Sequence, residues 1–362
     1  MRFELTPEQR ALGEAARALI DDLGPDELRN GYEDADAFPR TLWDAGAKQG
    51  WLGTLVPTEH GGLGGDLVAG VTLARAVGGG LAPGPLVPTL LVGEALRLCG
   101  DPEQQAEWLP ALAHGDVVGT LSLSADWAAP CRDSVRVEAD GDWLTGSCGM
   151  VEYATAADLL AVACTDGTVR LVRLSGTHGI EVAPLDAMDG TTRLAVATLT
   201  GAAAECLARH EGAREALLAR GAVLTAAELV GVAERAVWST VAHLQSRRQF
   251  GRPLGAFQAL GHRLADLWSG VVMAGHGVLY AAHALDEGLP DRELMVSVAK
   301  AKASEMAVTA TATMIQYHGA LGFTWEHESH LLFKRAHRQA AQYGDARWHR
   351  ERIAALTLDG AR

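Results

Sequence analysis

The spacing of apolar residues changes period twice along this chain, and that order limits the folds open to it. Residues 1 to about 115 carry Ala, Leu, Glu and Arg at helical spacing, broken by "VPTEHGGLGG" and "APGPLVP". From 116 to about 205 the period shortens. "SVRVEAD", "LLAVAC", "TVRLVRL" and "RLAVATL" are short runs bounded by Asp-Gly and Thr-Gly turns, which predict antiparallel strands. Beyond Glu205 the helical period returns, with Ala/Leu-rich segments over 205–246, 256–287, 291–317 and 325–343. Strands segregated between two helical blocks predict an α+β fold, mainly α, and argue against a doubly wound sheet. The expected domains are helical 1–115, a middle antiparallel β-domain 116–205 and a helical bundle 206–362. The Gly runs at 61–65 and 78–80 match neither GxGxxG nor GxxxxGK[ST], so both are expected to punctuate loops.

Composition narrows the partners. A net charge of −14 opposes binding to nucleic acid or an anionic membrane, though a few local cations can still hold a phosphorylated ligand. The first residues, "MRFELTPEQRALGEAARALI", lack a signal-peptide core. They predict a helix with Thr6 as N-cap, Pro7 at the first position and Gln9 closing a capping box. No charge-free apolar run of ~18 residues is read, so no membrane span is expected. Five scattered cysteines without CxxC predict reduced thiols in a cytoplasmic chain. The thirteen histidines form no HxxxH with nearby acids, so no metal site is expected.

The densest chemical signal is "SRRQFGRPLGAFQALGHRLADL", Ser246 to Leu267. Arg247 offers a fixed fork of donors for a phosphate, and Phe250 offers a π face. Each has a plain alternative: a cation at a helix C-terminus, a core aromatic, and for Gln258 a solvated amide. The stretch closely resembles a signature of the acyl-CoA dehydrogenase family. There the arginine and phenylalanine of RxxFG and the downstream glutamine touch FAD bound by a neighbouring subunit. Further on, "QYHGALGFTWEHESHLLFKRAH", Gln316 to His337, resembles the family's second C-terminal signature, and "GWLGTLVPTEHGGLGG", Gly50 to Gly65, its N-terminal helical domain. The resemblance covers nearly the whole chain. It implies the acyl-CoA dehydrogenase fold with a C-terminal four-helix bundle, FAD as cofactor and an acyl-CoA thioester as substrate. It also implies a glutamate base at the substrate's α-carbon. Such a base must be desolvated and held in place, because a thioester acidifies that carbon only modestly.

The sequence departs from the family where that chemistry is done. Tyr343 stands where most members place the base and Gly221 where a minority place it, while Asp345 replaces a small hydroxyl residue. A phenol with a pKa of ~10 is a poor base at neutral pH. The family's TEPxxGSD becomes "SLSADWAAPCRDS", leaving Ser124 as the surviving hydroxyl, and K-x-W-I-T becomes "CGMVEYAT", with Met150 and Glu152 at the tryptophan and threonine. Residues that serve a neighbour's FAD are kept: Arg247, Phe250, Gln258, Gln316 and Gly319. This asymmetry resembles the small, non-catalytic subunit of actinobacterial heteromeric acyl-CoA dehydrogenases, including those acting on steroid side-chain CoA thioesters. It implies an α2β2 partnership with a homologous subunit that brings the base. Two other readings stay open. One is an autonomous enzyme, with its base relocated to Glu152 or Glu228 or with non-redox thioester chemistry. The other is a structural homo-oligomer without flavin. His318 and His327 are expected to pack or shape a loop.

Overall fold

A computed structural model describes residues 4–33, 38–207 and 212–358. The first helix, α1 (Pro7–Glu33), opens as its sequence predicts. Thr6 Oγ1 accepts the Gln9 N–H at 3.2 Å, and Gln9 Oε1 accepts the Thr6 N–H at 3.0 Å. Two orphan amides are thereby satisfied reciprocally. Then follow α2 (Arg40–Lys48), α3 (Leu67–Gly79), α4 (Leu86–Cys99) and α5 (Pro102–His114). The last carries a second capping box, from Asp101 and Gln104 around Pro102.

The strand-period block forms two four-stranded sheets. One has the order β1 (Gly119–Ser122), β4 (Leu159–Ala163), β5 (Val169–Arg173), β8 (Glu205–Cys206). The other has the order β2 (Val137–Asp140), β3 (Trp143–Glu152), β7 (Leu194–Ala203), β6 (Ile180–Leu185). Pairing is antiparallel as expected, except that β1 runs parallel to β4. A parallel neighbour needs a long crossover, and here β2 and β3 supply it. Val137, Leu144, Val151, Leu160, Val162, Val172 and Leu199 share one buried cluster drawn from both sheets.

The returning helical period gives α6 (Ala213–Ser246), then a hairpin of β9 (Arg248–Gln249) and β10 (Arg252–Pro253). It continues as α7 (Gln258–Asp286), α8 (Arg292–His318), α9 (Ser329–Ala341) and α10 (Ala346–Leu358). The helices α6 to α9 match the four predicted segments, except that Glu205–Cys206 form β8 where helix was expected; α10 was not predicted, and residues 208–211 lie outside the described ones. In α6, one 18-residue window has a mean hydropathy of 1.6, so by length and composition the helix is able to cross a membrane. It is not a charge-free run, since Arg220, Glu228, Glu234 and Arg235 lie along it. That window is 78% buried in the fold, as a core helix is.

Two compact units emerge, each assembled from separate stretches of chain. One gathers Met1–Arg17, Val71–Ala82 and Ala222–Arg362, and the other Ala18–Gly70 and Pro83–Gly221. In the first, the expected loop glycines at 78–80 prove to be helical: Gly78 and Gly79 end α3. A Cβ on Gly78 would lie 2.2 Å from the Glu228 carbonyl oxygen, and one on Gly231 would lie 2.1 Å from that of Arg75. Missing side chains let α3 and α6 cross backbone to backbone, which a reading of glycine as punctuation cannot reveal.

Candidate functional site

In the helical unit, the two C-terminal signatures sit at the ends of helices, and a histidine stack brings them together. Arg247 follows α6 and donates its backbone N–H to the His243 carbonyl at 2.8 Å. Its exposed guanidinium makes no hydrogen bond or ion pair among the described residues. Phe250 takes a left-handed φ of +53° at the tip of the β9–β10 hairpin and is 90% exposed. Its sole ring neighbour among the described residues is Phe257, edge to face at 6.2 Å, and the Arg252 guanidinium caps the Phe257 ring at 4.0 Å. Gln258 starts α7 and is exposed, as are Gln316 and Gly319 at the end of α8. The His243 and His318 rings stack at 4.3 Å, which sets the ends of α6 and α8 side by side. Among these five expected residues there is thus an unpaired cation, an open aromatic face and two unengaged amides at one end of the unit. Such a set suits phosphate and a flat ring.

The turn at the usual base position is built differently. Tyr343 has a φ of +56°, is 9% exposed, and its carbonyl faces His349 Nε2 at 3.0 Å. Beneath it lies Lys300, a fully buried lysine that the sequence reading overlooked. Its Nζ donates to the carbonyls of Gln339, Ala340 and Gly344 at 3.1 Å each, and to Ser304 Oγ at 3.2 Å. Orphan carbonyls at the end of α9 and in the turn are thereby capped by one cation. Burial pulls the Lys300 pKa down to about 7, and nearby Asp345 opposes that shift. Four acceptors around one nitrogen favour the ammonium, because a neutral amine offers two donors. Burial, then the nearby Lys300 charge, lower the His349 pKa to about 3. Asp345 accepts the Trp348 N–H at 2.7 Å and caps α10. The turn keeps a fixed shape while presenting a phenol in place of a carboxylate.

In the strand unit, β1 and the segment after it are fastened to β3 by their own side chains. Thr120 Oγ1, Ser122 Oγ and Trp127 Nε1 donate to the carbonyls of Glu152, Cys148 and Met150 at 2.5, 2.6 and 3.1 Å. Gly149, at φ +69°, permits this approach: a Cβ there would lie 2.9 Å from the Ala125 Cα. The Ser124 hydroxyl, 7% exposed, donates to the Asp126 carbonyl at 2.8 Å and lies 2.5 Å from Ser134 Oγ. Arg214, on the first turn of α6, donates to the carbonyls of Leu123, Pro130 and Cys131 at 2.8, 3.0 and 2.9 Å. These polar groups satisfy one another, so their fit to an FAD is poor. Glu152 ends β3, and Glu228 is buried on α6; both are engaged within the fold. Gly221 is buried in α6 and offers no side chain.

The helical unit thus carries an exposed set of one cation, one aromatic ring and two amides, and the strand unit a polar loop satisfied from within. Profiles described as "Acyl-CoA dehydrogenase, N-terminal domain" and "Acyl-CoA dehydrogenase, C-terminal domain" match residues 6–116 and 211–358. The chain is 34% identical over 340 residues to "Acyl-CoA dehydrogenase IpdE2" of Mycobacterium tuberculosis, covering 93% of each. It is 31% identical over 355 residues to the IpdE2 of Mycolicibacterium smegmatis, covering 97% of this chain and 99% of that one. Among solved structures, a variant of the "Tcur3481-Tcur3483 steroid ACAD" superposes with a TM-score of 0.90 at 29% identity, covering 98% of both chains. The "ChsE4-ChsE5 complex from Mycobacterium tuberculosis" gives 0.89 at 27%, covering 99% of both. The chain belongs to the acyl-CoA dehydrogenase family of FAD-dependent oxidoreductases and has its fold.

Proposed function

We propose that this chain is the partner subunit of an FAD-dependent dehydrogenase that desaturates an acyl-CoA thioester between its α- and β-carbons. Its role is to complete the flavin site of a homologous subunit that brings the catalytic glutamate. The observation that carries this reading is the contrast between free and consumed polar groups. Arg247, Phe250, Gln258 and Gln316 stand open, whereas Ser124 and the loop around it spend their donors internally. When bound, FAD supplies the hydride acceptor. Arg247 would hold phosphate oxygens, Phe250 would lie against a flat ring, and Gln258, Gln316 and the backbone at Gly319 would add hydrogen bonds.

Tyr343 at the usual base position supports assigning proton removal to the partner, since a phenol, with an ordinary pKa of ~10, is a poor base at neutral pH. Closed two-fold symmetry makes α2β2 the simplest assembly. Among the similar structures, one is titled a complex of ChsE4 with ChsE5, and another pairs Tcur3481 with Tcur3483 as a steroid ACAD. On that likeness we assign a steroid side-chain CoA thioester as the substrate class. The five unpaired cysteines suit a reducing cytoplasm. The reading is tested by the visible spectrum. The purified chain is expected to be colourless, and to yield a yellow complex when co-purified with the partner. Stoichiometric flavin on the chain alone would favour an autonomous enzyme.

A further inference from the structure

We propose that His243, His318 and His327 form an acid-sensitive joint that holds the Arg247 hairpin against the Gln316–Gly319 turn. The three imidazoles make one column, with centroids 4.3 Å apart from His243 to His318 and 4.3 Å from His318 to His327. They come from three elements: the last turn of α6, the end of α8, and the segment before α9. The ring planes are tilted by 31° and 46° to one another, and no three His, Cys, Asp or Glu among the described residues could hold a metal.

Two anchors fix the column. His318 is buried, with Nδ1 2.8 Å from the Met314 carbonyl, which makes that nitrogen the protonated one in the neutral ring. His327 Nδ1 meets Ser329 Oγ at 3.1 Å, and Ser329 Oγ donates to the Gly322 carbonyl at 2.8 Å. The column is therefore tied to the turn that carries Gln316 and Gly319. At its other end, His243 accepts the backbone N–H of Arg247 on its carbonyl oxygen.

The charges around the column decide how it responds to acid. Arg247 faces His243 from the hairpin, His330 faces His327 from α9, and Glu328 faces His327 as the one opposing acid. Glu328 is already bound by both guanidinium nitrogens of Arg235, at 3.0 Å each. Burial and then the neighbouring His318 hold both His243 and His327 below the ordinary histidine value of 6.5. A group whose folded pKa is depressed takes up protons more readily when the joint opens. The stability it lends is complete above the unfolded value and is lost as pH falls below about 6.5. Protonation of stacked rings at this spacing adds like-charge repulsion, and the joint opens.

The link to FAD rests on the proposed function, but the joint itself is testable on the chain alone. Hydrogen–deuterium exchange, corrected for intrinsic rates, is compared at about pH 7.5 and about pH 5.5. Peptides spanning 243–258 and 316–328 are expected to lose protection roughly tenfold in acid, while those from β3–β7 do not. His243→Phe keeps a flat ring and removes one of the two acid-sensitive charges, so its pH dependence is expected to be clearly smaller across this step. Equal pH dependence in both proteins, or none in either, overturns the joint. Should the variant misfold, a titration of the histidine carbon resonances of the natural chain decides. His243 and His327 both titrating below 6.5 agree with the joint, and either one titrating at or above it overturns it. Neither failure bears on the partner reading, which is judged by flavin retention in the complex.

Discussion

The hairpin at Arg247 and the loop from Leu123 to Ser134 are both polar and both stand where the family resemblance implies contact with FAD, yet they are opposite in physical state. The hairpin leaves its guanidinium, its ring and the nearby amides open to solvent. The loop turns its hydroxyls and carbonyls inward, where Arg214 and Ser134 meet them, and its Trp127 donates to the Met150 carbonyl on β3. A polar group that is already satisfied within the protein must break that bond to take a ligand, whereas an exposed cation exchanges only water. The segment whose family residues are kept is the one whose polar groups stand open, and the segment that departs is the one whose polar groups are consumed.

The largest expected effect concerns chemistry. With a phenol and a glycine at the two base positions, the chain alone should reduce flavin at least ~10²–10⁴-fold more slowly than its complex with a base-carrying partner. Anaerobic bleaching of flavin by a CoA thioester measures this. Bleaching by the pure chain at the rate of the complex would break the contrast, since the strand unit would then be a working site.

Smaller effects separate the two regions. Arg214→Ala removes a buried donor to three carbonyls and should cost about 3 kcal/mol of stability by denaturant unfolding. Flavin retained by the complex should not change. Arg247→Ala should do the reverse, weakening flavin retention by ~1.5–3 kcal/mol on gel filtration while leaving unfolding unaltered. If both variants moved the same quantity, the two regions would not differ in role.

Lys300 gives a subtler signature. Its amine binds protons more tightly in the unfolded chain than at its folded pKa of about 7. Stability should therefore rise with pH between about 7 and the ordinary lysine value of 10.5, and this contribution falls away as pH drops through that window. Lys300→Met should flatten the slope of melting temperature over the same range. An unchanged slope would show that the ammonium does not govern the turn at Tyr343.

Much of the architecture was legible in the sequence, because periodicity reports which face of a segment is buried. The Thr6–Gln9 cap, four C-terminal helices and the strand block follow from local spacing. The parallel pairing of β1 with β4 does not, since it depends on a crossover that no local pattern encodes. The site was half legible. RxxFG singled out Arg247 and Phe250 as candidates, and the structure leaves both exposed, but nothing in sequence marks Lys300, whose acceptors lie about forty residues away, or Arg214, whose carbonyls belong to a distant loop. The histidines at 243, 318 and 327 look unrelated until three helix ends converge. Side chains that act through backbone carbonyls leave no motif, because a carbonyl is the same whatever residue bears it.

The most direct measurement is native mass spectrometry of the chain co-expressed with a homologue that carries a TEP segment and a correctly placed glutamate, with FAD counted per chain. The account predicts a complex of two copies of each, with about half of the possible sites holding flavin, and a homo-oligomer free of flavin when the partner is absent. A stable homotetramer with one FAD on every chain, unchanged by the partner, would contradict it.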